Sequence, residues 1–336
     1  MSQTFWQKLK TQSLAENRPI LVLAPMADVT DASFRRVIAK YGKPDVLWTE
    51  FVSADGLMLA TPEGKAKLMK NLIFTESERP IVAQFFTSKP EMMKGAAELA
   101  MKLGFDGIDI NMGCPDKSIE KQGAGAASMK KPALAREVIR AAIEGAGNIP
   151  VSVKTRLGFN KNEIETWLPE LLAERPAMIT VHARTRKEMS KVAAHWDQIK
   201  RAVEIRDEVQ KDLPESDRTL IFGNGDVVDV ADAFAKAKAS GADGIMLGRA
   251  IFGNPWLFAD LKEIDIKTKL NVLVEHTKLF EELLGSTKSF ALMKKHYKAY
   301  VTGWDGAKEL RMELMEAENA DKVGEIVGKY LLDISL

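Results

Sequence analysis

Short apolar runs recur along the first 260 residues, and a longer amphipathic stretch separates each run from the next. The eight runs are rich in aliphatic and β-branched side chains and span residues 20–23, 46–49, 81–85, 107–110, 151–154, 178–182, 220–222 and 244–247. Helical periodicity is found between them, at residues 31–41, 90–103, 132–146, 163–173, 196–209 and 229–240. Strands that alternate with helices predict a parallel sheet, and eight such units close naturally into a barrel.

The main alternative is an open, doubly wound sheet that binds a dinucleotide. That fold places a glycine fingerprint directly after its first strand, at the turn into the first helix. Here the first apolar run is followed by Ala24-Pro25-Met26-Ala27, which lacks the fingerprint. We therefore predict an α/β fold, a TIM (β/α)8 barrel over residues 1–260, followed by a small all-helical C-terminal domain over residues 261–336.

The C-terminal part shows only helical periodicity, at residues 270–284, 290–301 and 307–316. Residues 286–300 contain no acidic residue, and their cationic and aromatic side chains are Lys288, Phe290, Lys294, Lys295, His296, Tyr297, Lys298 and Tyr300. Lysines interleaved with aromatic rings suit a nucleic-acid backbone and its bases. A solvated helix face is an equally good interpretation of this pattern.

The composition limits the partners and the compartment. The chain has 336 residues, one cysteine and a net charge of +1, so a nucleic-acid surface must come from local charge asymmetry. A single cysteine excludes an internal disulfide and suits a reducing cytosol. No segment has the pattern of a signal peptide or the length of a membrane span. We expect a cytoplasmic protein with no membrane and no metal site.

The residues at the carboxyl ends of the eight runs form a coherent set, and active sites of barrel enzymes lie at this end. The set comprises Pro25, Met26, Ala27, Glu50, Gln84, Asn111, Cys114, Lys154, Arg156, His182, Arg184, Asn224, Gly225, Asp226, Gly248 and Arg249. Barrel phosphate sites form from the loops after the last two strands, where this chain has Gly223-Asn224-Gly225-Asp226 and Gly248-Arg249. These two loops predict a phosphate site.

Two residues of this set have an ordinary alternative interpretation. Lys154 ends an apolar run and would serve as an electrostatic clamp on an electron-rich ring, or else form an ion pair with Glu50 or Asp109. A lone cysteine such as Cys114, considered without its neighbours, would be interpreted as a buried packing residue. Its position after an apolar run, between Gly113 and Pro115, is instead where an α/β enzyme places a catalytic side chain.

Short motifs spread over nearly the whole chain carry a family resemblance. They are Leu23-Ala24-Pro25-Met26-Ala27, Gln84-Phe85, Asn111-Met112-Gly113-Cys114-Pro115, Val153-Lys154-Thr155-Arg156-Leu157-Gly158, Val181-His182-Ala183-Arg184-Thr185-Arg186, Gly223-Asn224-Gly225-Asp226, Gly248-Arg249 and Lys294-Lys295-His296. With them the chain resembles the tRNA-dihydrouridine synthase family, and the segment around Cys114 is the most diagnostic. It departs from the usual pattern at Ala183, at Ser128-Met129 and at His195-Trp196.

The resemblance implies an FMN-dependent enzyme that uses NADPH to reduce the C5–C6 double bond of specific uridines in tRNA to 5,6-dihydrouridine. By the resemblance, FMN is bound by Pro25, Met26, Ala27, Gln84, Lys154, His182, Asn224, Gly225, Asp226, Gly248 and Arg249. The substrate RNA would contact Asn111, Lys117, Arg156, Arg184, Arg186, Lys294 and Lys295. We further expect a monomer.

The implied chemistry assigns a role to the thiol. Hydride from reduced FMN reaches C6 of the uracil ring, and Cys114 protonates C5. An ordinary thiol pKa of about 8.5 keeps such a donor protonated at neutral pH. Two other functions remain open, an FMN barrel acting on a free pyrimidine and a tRNA-binding factor without catalysis. The first needs no basic tail, and the second needs no Cys114, Lys154 or phosphate loops.

Overall fold

The computed structural model describes residues 3–259, 261 and 263–334. These residues contain nine strands: β1 (Ile20–Leu23), β2 (Leu47–Trp48), β3 (Val52–Ser53), β4 (Ile81–Phe86), β5 (Gly107–Asn111), β6 (Val151–Arg156), β7 (Met178–His182), β8 (Leu220–Asn224) and β9 (Gly244–Leu247). All pair in parallel, in the order β1-β9-β8-β7-β6-β5-β4-β2, and a bridge between Val22 and Val46 joins the two ends. The predicted eight-stranded barrel is confirmed, and the short β3, which pairs with β4, was not predicted.

Several strands continue past the end of their apolar run. β6 extends to Arg156, two residues beyond the predicted end at Lys154, and β8 extends to Asn224. The register pairs Lys154 with Asn111 and Arg156 with His182 across neighbouring strands. Side chains alternate between the two faces of a strand, so Lys154 and Arg156 share one face. The predicted ends of β6 and β8 were too early because the prediction followed hydrophobicity, and the last residues of these strands include polar ones that line the site.

The helices that connect the strands cover the outside of the barrel. In chain order they are α1 (Phe5–Glu16), α2 (Ala32–Tyr41), α3 (Ala54–Leu59), α4 (Pro62–Met69), α5 (Pro90–Lys102), α6 (Lys117–Lys121), α7 (Pro132–Ala146), α8 (Ile164–Leu172), α9 (Trp196–Val209) and α10 (Val230–Ser240). The six predicted helices of this region are confirmed within about one residue, and α1, α3, α4 and α6 were missed. Among the helices of the described residues, none is long and apolar enough to cross a membrane.

Helix α1 closes the amino-terminal end of the barrel. Its Trp6 is buried, and its ring lies 6.0 Å from that of Trp48 and 5.5 Å from that of Phe222. Rings at these separations pack favourably, edge-on or tilted. These aromatic side chains fill the interior of the barrel at its amino-terminal end.

The C-terminal region packs as a helical unit against α2. It consists of α11 (Ile266–Leu284), a 3₁₀ turn (Phe290–Met293), α12 (Lys294–Tyr300), α13 (Ala307–Glu316) and α14 (Ala320–Asp333), of which α14 was not predicted. Its buried cluster includes Leu273, Phe280 and Tyr297 and also takes in Val37 of α2. The predicted domain boundary falls at residue 260, which lies outside the described residues, and the division into domains stays a prediction.

The aromatic side chains of residues 286–300 are structural. His296, Tyr297 and Tyr300 are buried, and the His296 ring lies 5.2 Å from that of Phe34 in α2. The interpretation that these three rings stack on nucleic-acid bases is therefore wrong, because the His296 ring packs against the barrel and Tyr297 and Tyr300 lie in the buried cluster of the helical region. The sequence did not indicate that these rings are buried, because an aromatic residue that packs in a core and one that stacks on a base cannot be distinguished from the lysines around them.

Candidate active site

A cavity of about 320 Å³ opens at the carboxyl ends of β1, β6, β7, β8 and β9. Its walls are Ala24, Pro25, Met26, Lys154, Arg156, His182, Arg184, Ser190, Asn224, Gly225, Gly248 and Arg249. Ten of these residues come from five of the predicted strand ends, which parallel pairing brings to one edge. Ser190 was missed, since it lies in a loop with no motif that distinguishes it.

The ends of the last two strands form one side of this cavity, with Asn224 and Gly225 at the end of β8 and Gly248 and Arg249 after β9; we call this side the cradle. Gly225 has φ of 127°, and a Cβ there would lie 3.0 Å from Ala194 Cβ and 3.2 Å from the His182 ring. A 3₁₀ turn (Arg249–Ile251) follows Gly248 at the end of β9. Loops after the last two strands, together with a short extra helix, are the usual phosphate site of such barrels. The two loops that were predicted to bind phosphate therefore lie together at the cavity, and the binding of a phosphate stays a prediction.

Asp226 holds two guanidinium groups beside the cradle. Its Oδ1 accepts from Arg249 Nη2 at 2.8 Å, and its Oδ2 pairs with Arg184 and accepts from the backbone N–H of Ala194. The neighbouring Arg184 lowers the pKa of this carboxyl, so Asp226 is ionised at neutral pH. Arg249 is largely exposed, with its charge directed toward the cavity region that Gly248 lines.

Lys154 is the cation in the centre of the site. Its Nζ donates to Asn224 Oδ1 at 3.3 Å. Burial, and then repulsion by Arg156, lowers its pKa to about 8. The alternative ion pairs are not formed among the described residues, because Glu50 pairs with Lys288 and the Asp109 carboxylate accepts from Ser152 and Gln84. The lysine is thus available to a ligand and carries its charge at neutral pH.

His182 lies beside Lys154 and is neutral. Burial and the surrounding cations, Lys154 and Arg156 first among them, lower its pKa well below the usual value. Its Nε2 is 3.4 Å from Arg184 Nη1. A neutral imidazole can donate or accept a hydrogen bond, so it suits a polar ligand atom of either kind.

The Cys114 loop has its backbone fixed from both sides. Asn111 Oδ1 accepts from the N–H groups of Cys114 at 2.9 Å and Gly113 at 3.1 Å, and the Cys114 carbonyl accepts from Ala126 at 2.9 Å. Gly125 has φ of 60°, and a Cβ there would lie 2.8 Å from the Cys114 carbonyl oxygen. The loop therefore needs glycine at 125, and the thiol has a defined position at the end of β5.

A chain of buried polar side chains supports this loop from below. Asn111 Nδ2 donates to Gln84 Oε1 at 3.1 Å, Gln84 Nε2 donates to Asp109, and Ser152 Oγ donates to the other Asp109 oxygen. Burial raises the pKa of Asp109 to about 6. Gln84 was predicted to contact the cofactor; here it is fully buried, and both ends of its amide are used within the chain.

The thiol itself is half-buried and uncharged. Burial raises the pKa of Cys114 above its ordinary value, and the thiolate would interact with Arg156 and Lys154, two residues that line the cavity. A raised pKa keeps the proton on sulfur at neutral pH, which is the state needed to donate it. The arrangement suits a proton donor better than a nucleophile, which would need a lowered pKa.

Three arginines predicted to contact RNA instead connect the loops around the site. Arg156 Nε donates to the Gly113 carbonyl at 2.7 Å, Arg184 Nε donates to the Val192 carbonyl at 2.7 Å, and Arg186 pairs with Glu120 on α6. Arg156 and Arg184 are buried. Their contact with RNA stays a prediction, as do the contacts of Lys117, Lys294 and Lys295. The partners of these arginines within the chain could not be predicted from the sequence, because they lie far from the arginines along the chain or are backbone carbonyls.

Known proteins match this chain over nearly its whole length. The family described as Dihydrouridine synthase (Dus) matches residues 22–334. The chain is 40% identical over 333 residues to "Probable tRNA-dihydrouridine synthase 2" of Bacillus subtilis (strain 168), covering 98% of this chain and 97% of the relative. It is 37% identical to "Probable tRNA-dihydrouridine synthase" of Staphylococcus aureus (strain MRSA252), covering 98% and 96%.

Solved structures with low sequence identity share the fold. A 2-naphthoyl-CoA reductase complex has a TM-score of 0.52 at 10% identity, covering 71% of this chain and 49% of that one. Histamine dehydrogenase from Rhizobium sp. 4-9 has a TM-score of 0.51 at 11% identity, covering 77% and 49%. At these low identities the likeness shows the fold alone. The family match extends over the barrel and the helical region alike, and the chain belongs to the dihydrouridine synthase family of flavin-dependent oxidoreductases.

Proposed function

We propose that this protein is a tRNA-dihydrouridine synthase that reduces the C5–C6 double bond of specific uridines in tRNA. The observation that carries the proposal is the position of Cys114, a protonated thiol close enough to Arg156 and Lys154 to interact with their charges, and these two residues line the cavity. Family membership and the names of the relatives support the choice of tRNA as the substrate. FMN is the flavin of this family.

The residues of the cavity fit FMN. The loops at Gly225 and Gly248, with the Arg249 guanidinium, suit a phosphate dianion, because glycine lets a ligand approach the backbone closely and a guanidinium can bind phosphate oxygens. Pro25 and Met26 offer an apolar wall for a planar ring. Lys154 and neutral His182 supply polar contacts for the ring or the ribityl chain. When bound and reduced, FMN supplies hydride chemistry at C6 of the uracil ring.

The chain's own residues handle the proton and the position of the base. Cys114 holds a proton on Sγ and donates it to C5, and Asn111 fixes the backbone that presents the thiol. Lys154 provides positive charge where electron density accumulates. A uridine must leave its stack to enter this cavity, which favours a base in an accessible RNA loop.

The proposal is tested by incubating unmodified tRNA with the purified protein, FMN and NADPH and measuring dihydrouridine by mass spectrometry. Formation of dihydrouridine that depends on all three components is the expected result. A protein that binds FMN and turns over free uracil or orotate-type rings without RNA would instead be a free-pyrimidine enzyme. A protein that binds tRNA tightly but leaves it unmodified would be a binding factor.

FMN affinity is expected to fall as the pH rises above about 8. Lys154 is protonated below its pKa of about 8, and loss of that proton removes the central positive charge of the site. The decline should reach at most about tenfold per pH unit. Fluorescence titration of FMN against pH measures it, and Lys154→Met should bind FMN more weakly with no inflection near pH 8. An inflection that persists in Lys154→Met would assign the titration to another group.

The remaining parts of the proposal concern the reductant and the state of the protein. We propose NADPH as the reductant that visits the flavin, a monomeric protein and a cytoplasmic location. The single cysteine, which suits a reducing compartment, supports the location. Comparing NADPH with NADH in flavin reduction, and measuring the mass in solution by light scattering, tests the first two.

A further inference from the structure

The loop that follows β1 presents Pro25 and Met26 to the cavity and then turns sharply into α2. Met26 N–H donates to Thr30 Oγ1 at 3.0 Å, and the Met26 carbonyl accepts from Val29 and Thr30. Asp28 has φ of 55°, a left-handed conformation that is uncommon outside glycine and needs support from its surroundings. The shape of the cavity wall therefore depends on what holds Asp28.

Glu50, which follows β2, holds the backbone of Asp28. Its Oε1 accepts from the Asp28 N–H at 2.5 Å. The Glu50 side chain is only 6% exposed, and burial raises its pKa, with the negative charge of Asp31 adding to this and the charge of Lys288 opposing it. A buried carboxylate is costly unless it is paired, so the ionised form of Glu50 needs a cation.

The cation comes from the helical C-terminal region. Lys288 Nζ lies 2.6 Å from Glu50 Oε2 and 3.6 Å from Asp28 Oδ1, and the Lys288 side chain is only 14% exposed. From the same region, Lys295 Nζ donates to the Asp28 carbonyl. Both peptide groups of Asp28 are thus fixed, one through Glu50 and Lys288 and the other directly by Lys295. Lys288 lies 238 residues from Glu50 along the chain.

We propose that Glu50 and Lys288 are positioning residues, through which the helical region fixes the Pro25–Asp28 backbone that forms one wall of the flavin site. The inference rests on the proposed function only in taking this cavity as the FMN site. It gives the helical region a second role beside RNA binding, because flavin affinity then depends on a contact between this region and the barrel. It also assigns Lys288 to the flavin wall, although its sequence context suggested an RNA contact.

The test is FMN affinity of the full chain, stripped of flavin and titrated with FMN by fluorescence. Lys288→Met leaves Glu50 buried without its partner and should raise the Kd of FMN about tenfold, since breaking a buried pair costs well over the equivalent of a factor of ten. Lys288→Arg keeps the charge and should recover most of the affinity. Lys298→Met, an exposed lysine on α12, is the matched control and should leave the Kd of FMN unchanged.

A pH profile separates positioning from a general loss of structure. In Lys288→Met, the groups facing Glu50 are Asp28, Asp31 and Lys295, and the two carboxylates favour protonated Glu50. The ratio of variant to wild-type Kd should therefore shrink as the pH is lowered from about 8 to about 6. Glu50→Gln/Lys288→Met, which has no buried charge to compensate, should bind FMN better than Lys288→Met alone.

The possible outcomes distinguish this inference from the proposed function. A wild-type chain that does not bind FMN contradicts the proposed function. A wild-type chain that binds FMN, with Lys288→Met within twofold of it, overturns the positioning role and leaves the function intact. The role is equally overturned when Lys288→Met lowers the midpoint of thermal unfolding but binds FMN with unchanged Kd, because the pair then stabilises the fold alone.

Discussion

Cys114→Ala should lower the rate of dihydrouridine formation by about 10²–10⁴-fold, the usual contribution of a positioned general acid. In the proposed mechanism the thiol, which interacts with the charges of Lys154 and Arg156, is the proton donor, and alanine removes it. Single-turnover assays with tRNA and pre-reduced enzyme, read by mass spectrometry, measure the loss. FMN affinity should change little, since the residues of the cavity wall remain.

Cys114→Ser is the matched variant, because it keeps the size of the side chain and replaces a thiol by a far weaker acid. It should be about as slow as Cys114→Ala. Since burial raises the pKa of Cys114, wild-type single-turnover rates should stay high through neutral pH and fall only in the alkaline range where the thiol loses its proton. An alanine variant that retains wild-type single-turnover rates would exclude Cys114 as the acid.

Arg35→Met should lower the free energy of unfolding by about 3–5 kcal/mol, the range for removing one partner of a buried ion pair. Arg35 Nε lies 2.7 Å from Glu78 Oε2, and both side chains are fully buried. Its other nitrogens donate to the carbonyls of Thr30 at 2.8 Å and Ile73 at 2.6 Å. Methionine fills much of the volume but leaves the Glu78 carboxylate and two carbonyls without this partner.

Urea denaturation followed by circular dichroism measures this loss of stability. Lys322→Met is the control, because Lys322 pairs with Glu325 on the surface of α14 and such pairs contribute about 0–1 kcal/mol. Adding Glu78→Gln to Arg35→Met should recover part of the loss, since no buried charge then remains unpaired. An Arg35→Met variant as stable as the Lys322→Met control would show that the pair is replaceable by packing alone.

The strands and most of the barrel helices could be predicted because their signals are local. Both an apolar run of three to five residues and a helix start such as Asp31, whose side chain accepts from the Phe34 N–H, can be recognised within a short segment of sequence. Short polar helices such as α6 and the amino-terminal α1 lack a strong periodic pattern, and they were missed. The residues at the strand ends followed from the barrel prediction, since parallel strands bring their carboxyl ends together.

Connections between distant residues could not be predicted in this way. The pairs Arg186–Glu120, Arg35–Glu78 and Lys288–Glu50 join positions 66, 43 and 238 residues apart. A basic residue that pairs within the chain and one that contacts RNA can be the same residue type with similar neighbours in the sequence, so the sequence does not distinguish them. The buried rings of His296 and Tyr300 show the same difficulty, because their role depends on α2 lying against them.

The sequence by itself determined the barrel, the helical tail, the family and the edge at which the site lies, because each depends on short-range periodicity or on a continuous motif. Only the tertiary structure decided which polar groups are used within the chain and which remain for a ligand. Lys154 is available to a ligand because Glu50 pairs with Lys288 and the Asp109 carboxylate accepts hydrogen bonds from buried side chains. The cost of burying an unpaired charge dictates these pairings, and it acts only once the chain has folded.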